Sequence, residues 1–141
     1  MNNISLRQLF DCKTCTYTYL IWDNVTKDAL IIDPVLEQVE RDLDYINKLK
    51  LNLLYILETH VHADHITGAS LLRNKTTAKI CYGAKSGVKG ADYMLKDGES
   101  IALNNLETAL QKVTFAHKEK TQEKRSLGKV ELERDILLRK V

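Results

Sequence analysis

Three cysteines, one proline and one tryptophan are few for a chain of 141 residues. Cys12, Cys15 and Cys81 are odd in number and sparse, which excludes the disulfide framework of a small secreted domain. No apolar run approaches the roughly 18 residues that a membrane span needs. A formal net charge of +2 gives no electrostatic footprint for a nucleic acid or a membrane surface. Met1 to Phe10 carries one basic residue and no apolar block before a small-residue cleavage site. Neither a secretory signal nor a transit peptide is expected from it, and a reducing, cytoplasmic setting is the default.

What is present is an ordinary globular composition, 44% hydrophobic and 28% charged. A single domain of this length hides roughly two-thirds of its unfolded surface. Ile4 to Phe10 alternates apolar and polar residues, and Thr16 to Trp22 is rich in β-formers, so both read as strands. Asp28 to Asp33 holds a short apolar run stopped by Pro34, a third strand and a turn. From Glu37 to Lys50 the period becomes helical, with Val39, Leu43, Ile46 and Leu49 on one face. Leu53 to Leu57 is a nearly unbroken apolar run, as in a strand covered on both faces. A second helix is predicted from His65 to Asn74, with Ile66, Ala69 and Leu72 sharing a face, and a strand from Ala78 to Tyr82. Glu99–Leu103 and Leu106–Leu110 read as a hairpin through Asn104-Asn105. This alternation of strands and helices indicates an α/β layer protein. Residues 111–141 differ in character: from His117 to Lys140 there are eight Lys/Arg and five Asp/Glu, more than half of the segment. Val130, Leu132, Ile136, Leu137 and Val141 are spaced for one amphipathic helix in an otherwise solvated tail.

Thr59-His60-Val61-His62-Ala63-Asp64-His65 carries the chemistry. His60 and His62 lie at i and i+2 after a buried strand, and in extended chain they point the same way. Asp64 and His65 are expected to open the next helix, where Asp64 also serves as an N-cap. Neutral imidazoles with a carboxylate suit Zn²⁺ or Fe²⁺. The plain alternative is exposed loop histidines with Asp64 as a simple cap. Against it stands the density of the motif, which holds three of the chain's four histidines within six positions.

The motif His-x-His-x-Asp-His resembles that of the metallo-β-lactamase superfamily. Gln8-Leu9-Phe10, Thr16 to Leu20, Ile31-Ile32-Asp33-Pro34-Val35, Glu40 to Leu43, Thr59 to Ala69 and Lys96-Asp97-Gly98 resemble the persulfide dioxygenase branch. This resemblance covers roughly residues 4 to 106 and implies an αββα sandwich with its metal at one edge. Residues 1–110 would be the first half of that domain and 111–141 a divergent charged tail. It further implies one Fe²⁺ held by two His and one Asp, and oxidation of glutathione persulfide, a small thiol substrate, to sulfite and glutathione. His60 would be the first iron ligand, with His62, Asp64 and His65 close by. The hydroxyacylglutathione hydrolase (glyoxalase II) group is the next relative. There His60 and His62 would bind one Zn²⁺, Asp64 and His65 a second, for thioester hydrolysis.

The family's later Pro-Gly-His-Thr-like segment has no match here. His117 and Asp135 stand near the family intervals, but their local sequence does not match. The chain is therefore expected to be a truncated relative with little turnover of its own, its first sheet's inner face bare and inclined to pair as a homodimer. A third reading is a catalytically inactive remnant that only binds or dimerises. Cys12-Lys13-Thr14-Cys15 is a C-x-x-C without the strand–helix context of a thioredoxin motif, and Cys81 reads as core.

Overall fold

The computed structural model describes residues 3–103, together with the backbone of 112–118 and 127–132. A six-stranded sheet runs β1 (Ile4–Asp11), β2 (Thr16–Asp23), β3 (Asp28–Ile32), β4 (Asn52–Leu57), β5 (Lys79–Gly83) and β6 (Tyr93–Leu95) in that spatial order. The first three strands form an antiparallel meander, whereas β3, β4, β5 and β6 are parallel neighbours. A parallel neighbour needs a crossover. Helices α1 (Val39–Lys48) and α2 (Ala69–Thr76) make the first two.

Both helices lie on one face of the sheet. There Val39 and Ile46 of α1 and Ala69 and Leu72 of α2 pack on Leu20, Ile31, Leu53, Ile56 and Ile80. Leu53 and Ile56 share that face although three positions separate them, because the β3–β4 register slips after Ala29/Leu53 and Leu54 is left out of the pairing. The other face buries Ile21, Leu30, Ile32, Leu57, Cys81 and Leu95 with Ile101 and Leu103. Its centre is therefore covered, contrary to the expectation of a bare inner face; only its margin, Ile4, Leu6, Tyr19 and Tyr55, is partly buried.

Ile101 belongs to β7 (Ser100–Ala102), which pairs with β8 (Lys112–Lys118), itself paired with β9 (Leu127–Leu132) in a second, antiparallel sheet. The strand expected at Glu99–Leu103 is present, but its described partner is β8. The proposed Leu106–Leu110 arm lies outside the described residues. Val130 and Leu132 stand on a strand, so the expected tail helix is corrected there; Ile136, Leu137 and Val141 lie outside the described residues. Helices on one face of one sheet, with a second sheet on the other, make the fold the first part of the expected αββα sandwich.

Two departures in the first hundred residues have clear causes. α2 starts at Ala69, not His65. Thr67 bridges Val35, Leu36 N donates to the Ile66 carbonyl (3.0 Å) and Gly68 N to the Pro34 carbonyl (2.8 Å). These bonds hold 66–68 against the segment after β3 and keep it out of the helix, leaving Ile66 68% exposed. β6 was not foreseen: it is a three-residue strand after a loop in which Gly87 and Gly90 take positive φ.

Candidate metal centre

Three strand ends build the site. Asp33 follows directly after β3 with φ 50, a left-handed conformation uncommon for a residue with a side chain. The turn sets its carboxylate against the end of β4, where Oδ1 accepts from Thr59 N (2.8 Å) and Oδ2 from Thr59 Oγ1 (2.6 Å). Because Thr59 spends its proton on Asp33, the 2.9 Å contact between Thr59 Oγ1 and His60 Nδ1 has the imidazole as donor. His60 Nε2 then carries the free lone pair, the arrangement by which an outer carboxylate orients a metal-binding histidine.

His62 is held from the other side. Its Nε2 lies 3.2 Å from Asp33 Oδ1 and 3.0 Å from Oε2 of Glu58, a fully buried carboxylate that also accepts from the Thr67 hydroxyl. Burial alone would lower the His62 pKa, but hydrogen bonds to Asp33 and Glu58 outweigh it and carry the imidazole up to about 10. Burial pushes Glu58 up to about 7, against the hydrogen bond from His62. A cation is bound only by a neutral imidazole, so metal binding through His62 would be coupled to proton release. His60 moves the opposite way, its pKa lowered by burial and then by the charge on His62.

His65 closes the cluster. Its Nδ1 is 3.2 Å from Asp64 Oδ1 and 3.4 Å from Thr16 Oγ1 at the start of β2. Its Nε2 is buried and has no hydrogen-bond partner. Asp64 is 63% exposed and is not a helix cap, which corrects that expectation: Gly68 stands at the N-cap of α2, and Thr67 Oγ1 accepts from Ala69 N at 3.1 Å. The three rings pack in a row, tilted by 49° and 45°, with centroids 4.1 Å apart for His60–His62 and 4.3 Å for His62–His65.

Among the described residues two groups bring donor atoms within 4.8 Å of one another: Asp33, His60 and His62, and His62, Asp64 and His65. The fold therefore assembles all four residues singled out in the sequence, and it adds Asp33. Both Asp33 oxygens already accept hydrogen bonds from Thr59, so that carboxylate orients the ring donors. An unpartnered nitrogen in a nearly closed His65 ring is costly in a protein interior. A metal ion removes that cost, and the donor set fits one. The sequence places Thr59 in the motif, and Asp33 and Thr67 in stretches of the resemblance, but not the orienting roles of Asp33, Glu58, Thr59 and Thr67; for Asp33, Glu58 and Thr59 the visible signal is polar residues directly after apolar strands. His117 stands on β8 opposite Gly128, and Asp135 lies outside the described residues.

The Metallo-beta-lactamase superfamily profile matches residues 16–135. The chain belongs to this superfamily. Its match runs past residue 110, through β8 and β9. The chain is 47% identical over 100 residues to the mitochondrial persulfide dioxygenase ETHE1 of Bos taurus, covering 70% of this chain and 39% of the relative. The crystal structure of ETHE1 from Myxococcus xanthus aligns with TM-score 0.76 and 37% identity, covering 91% of this chain and 53% of that one. A hydroxyacylglutathione hydrolase of Pelagibacter ubique is more distant, 32% identical over 92 residues, 64% of this chain and 38% of the relative. The matched region thus spans about two-fifths of the length of these two curated relatives. No helix among the described residues is long and apolar enough to cross a membrane.

Proposed function

We propose that this chain is a metal-binding unit of the persulfide dioxygenase type, with Fe²⁺ as its ion and Zn²⁺ as the alternative. Its substrate would be a small persulfide such as glutathione persulfide, oxidised to sulfite and glutathione. What supports the reading is the buried, unpartnered Nε2 of His65 in a donor group with His62 and Asp64, on a chain 47% identical to persulfide dioxygenases over 100 residues. His60, His62, Asp64 and His65 are the proposed ligands. Bound there, Fe²⁺ would supply open positions at which a sulfur substrate and O₂ meet. The chain's own groups do the rest: Asp33 and Thr59 fix the His60 tautomer, Asp33 and Glu58 hold His62, and the exposed Val61 and Ile66 adjoin the motif histidines in sequence. The proposed setting is cytoplasmic, although the names of the persulfide dioxygenase relatives place those proteins in mitochondria. No nucleic-acid or membrane partner is proposed; the margin of Ile4, Leu6, Tyr19 and Tyr55 is where a homodimer would form.

Zinc-dependent thioester hydrolysis is the second reading, favoured by the two adjacent donor groups sharing His62. Anaerobic loading of the chain with Fe²⁺ or Zn²⁺, followed by metal counting, tests the site. One ion per chain that is lost in His60→Ala supports it. Equal metal content in the parent and the variant refutes the assignment of His60. O₂ consumption with glutathione persulfide, against hydrolysis of a glutathione thioester, separates the two chemistries.

A further inference from the structure

The C-x-x-C motif has no part in the metal centre, yet the fold sets it beside that centre. Asp11 and Thr16 are the last paired residues of β1 and β2, so Cys12, Lys13, Thr14 and Cys15 form the whole hairpin loop. The cysteines occupy its two ends. The ends of such a four-residue turn lie within about 7 Å between Cα atoms, which overlaps the roughly 4.4–6.8 Å a disulfide spans. Cys15 takes φ 55, and its Sγ lies 3.9 Å from the Cys12 carbonyl oxygen, so the thiol points across the turn. Both cysteines are exposed and unpaired.

The loop keeps its shape without them. Asp11 accepts from Thr14 N (2.9 Å), Thr14 Oγ1 (2.7 Å) and Gln38 Nε2 (2.7 Å). Thr14 Oγ1 also lies 2.9 Å from Thr16 Oγ1, which is 3.4 Å from His65 Nδ1. The loop therefore lies two hydrogen bonds from an imidazole of the candidate metal centre.

We propose that Cys12 and Cys15 form a reversible dithiol–disulfide site that exchanges with small disulfides of the glutathione type. One cysteine thiolate attacks a sulfur of the small disulfide, forms a mixed disulfide and expels a small thiolate. The second cysteine thiolate then attacks the protein-bound sulfur, closes the Cys12–Cys15 bond and expels the other small thiolate. Two protein thiols are oxidised, one small disulfide is reduced to two thiols, and the two protein protons go to the departing thiolates. Clamping by Asp11 keeps the second cysteine close, so the mixed disulfide is short-lived.

Lys13 makes the test direct, because trypsin cuts between the two cysteines. The full chain is equilibrated with mixtures of reduced and oxidised glutathione, quenched in acid, alkylated under denaturing conditions and digested. The expected result is that the 8–13 and 14–27 peptides stay joined in proportion to the oxidised fraction and separate on addition of dithiothreitol. Cys81, buried and pushed by burial up to about 12, stays a free thiol as the internal control. In Cys12→Ser the reaction should stop at a stable glutathione adduct on Cys15. Separate glutathione adducts on Cys12 and Cys15 in the parent overturn the proposal. So do two free thiols at full oxidation, or cross-links between chains.

Discussion

Glu58 and His62 face each other at 3.0 Å in the interior, one at the end of β4 and the other in the loop that follows. Their pairing is what turns the second imidazole of the motif toward its neighbours. Glu58→Gln keeps the volume and the Thr67 contact but removes the charge that clasps His62. Metal affinity is expected to fall about 10- to 100-fold, the usual effect of losing an outer-shell partner. Chelator competition measures it, and unchanged affinity would show that Glu58 does not orient the site.

Gly68 sits where no side chain fits. A Cβ there would lie 2.6 Å from Val39 Cγ2 and 3.1 Å from the Val35 carbonyl oxygen. Gly68→Ala is expected to destabilise the fold by about 1–3 kcal/mol through overpacking. Val39→Ala in the same chain should recover part of that loss. Denaturant unfolding of the single and double variants gives the coupling, and strict additivity would place the cost elsewhere.

Asp42 is fully buried on α1, bonded to Arg41 at 2.8 Å, with its Oδ2 unpartnered. Burial raises its pKa to about 6, against the attraction of Arg41. The folded state then keeps a proton that the unfolded chain releases above the ordinary value of 3.8. Asp42 therefore favours folding below about pH 4, and this contribution is lost as pH rises through about 6, at most about 3 kcal/mol. Asp11, Asp64 and Asp92 have lowered pKa values and slope the other way. The informative quantity is consequently the difference between parent and Asp42→Asn. That difference should change between pH 4 and 6; a constant offset would sink the assignment.

Ile56 and Ile66 were both read from the sequence as apolar positions of regular elements, and they make a matched pair. Ile56 is fully buried, whereas Ile66 is 68% exposed. Ile56→Ala should cost about 2–5 kcal/mol, and Ile66→Ala should stay within about 0.5 kcal/mol. A melt in which the two variants shift equally would contradict this placement of the motif loop.

Activity gives the remaining expectation. The carboxylate grouped with both His60 and His62 is Asp33, already engaged by Thr59, so sulfite formation from glutathione persulfide by the iron-loaded chain should be low. Robust turnover lost in His60→Ala, His117→Ala and Asp135→Ala alike would assign the missing ligands to the later segment.

Strands β1 to β5 and α1 were legible because each buries a face with its own period. The motif was legible because its donors are adjacent in sequence. What was not legible depends on contacts between distant segments. The start of α2 is set by Pro34 and Val35, more than thirty residues earlier, and no local signal separates it from a helix beginning at His65. Asp42 lies three positions from Val39 and shares the buried stripe of α1, a placement that its charge does not signal in the sequence. The roles of Asp33 and Glu58 required the parallel pairing of β3 with β4 and of β4 with β5, which periodicity alone does not specify.

Because Asp33, Glu58 and Thr16 reach the histidines from three different strands, the donor atoms converge only when the sheet is assembled. An ion that prefers this geometry to the open chain acts as a thermodynamic clamp on the whole sheet. Saturation to about 100 times the dissociation constant would add about 2.7 kcal/mol of stability, and the melting temperature would climb with the logarithm of free metal. Starved of metal, the same chain would be handed to the cell's proteases more often. Its abundance in the cell would then track the supply of the ion.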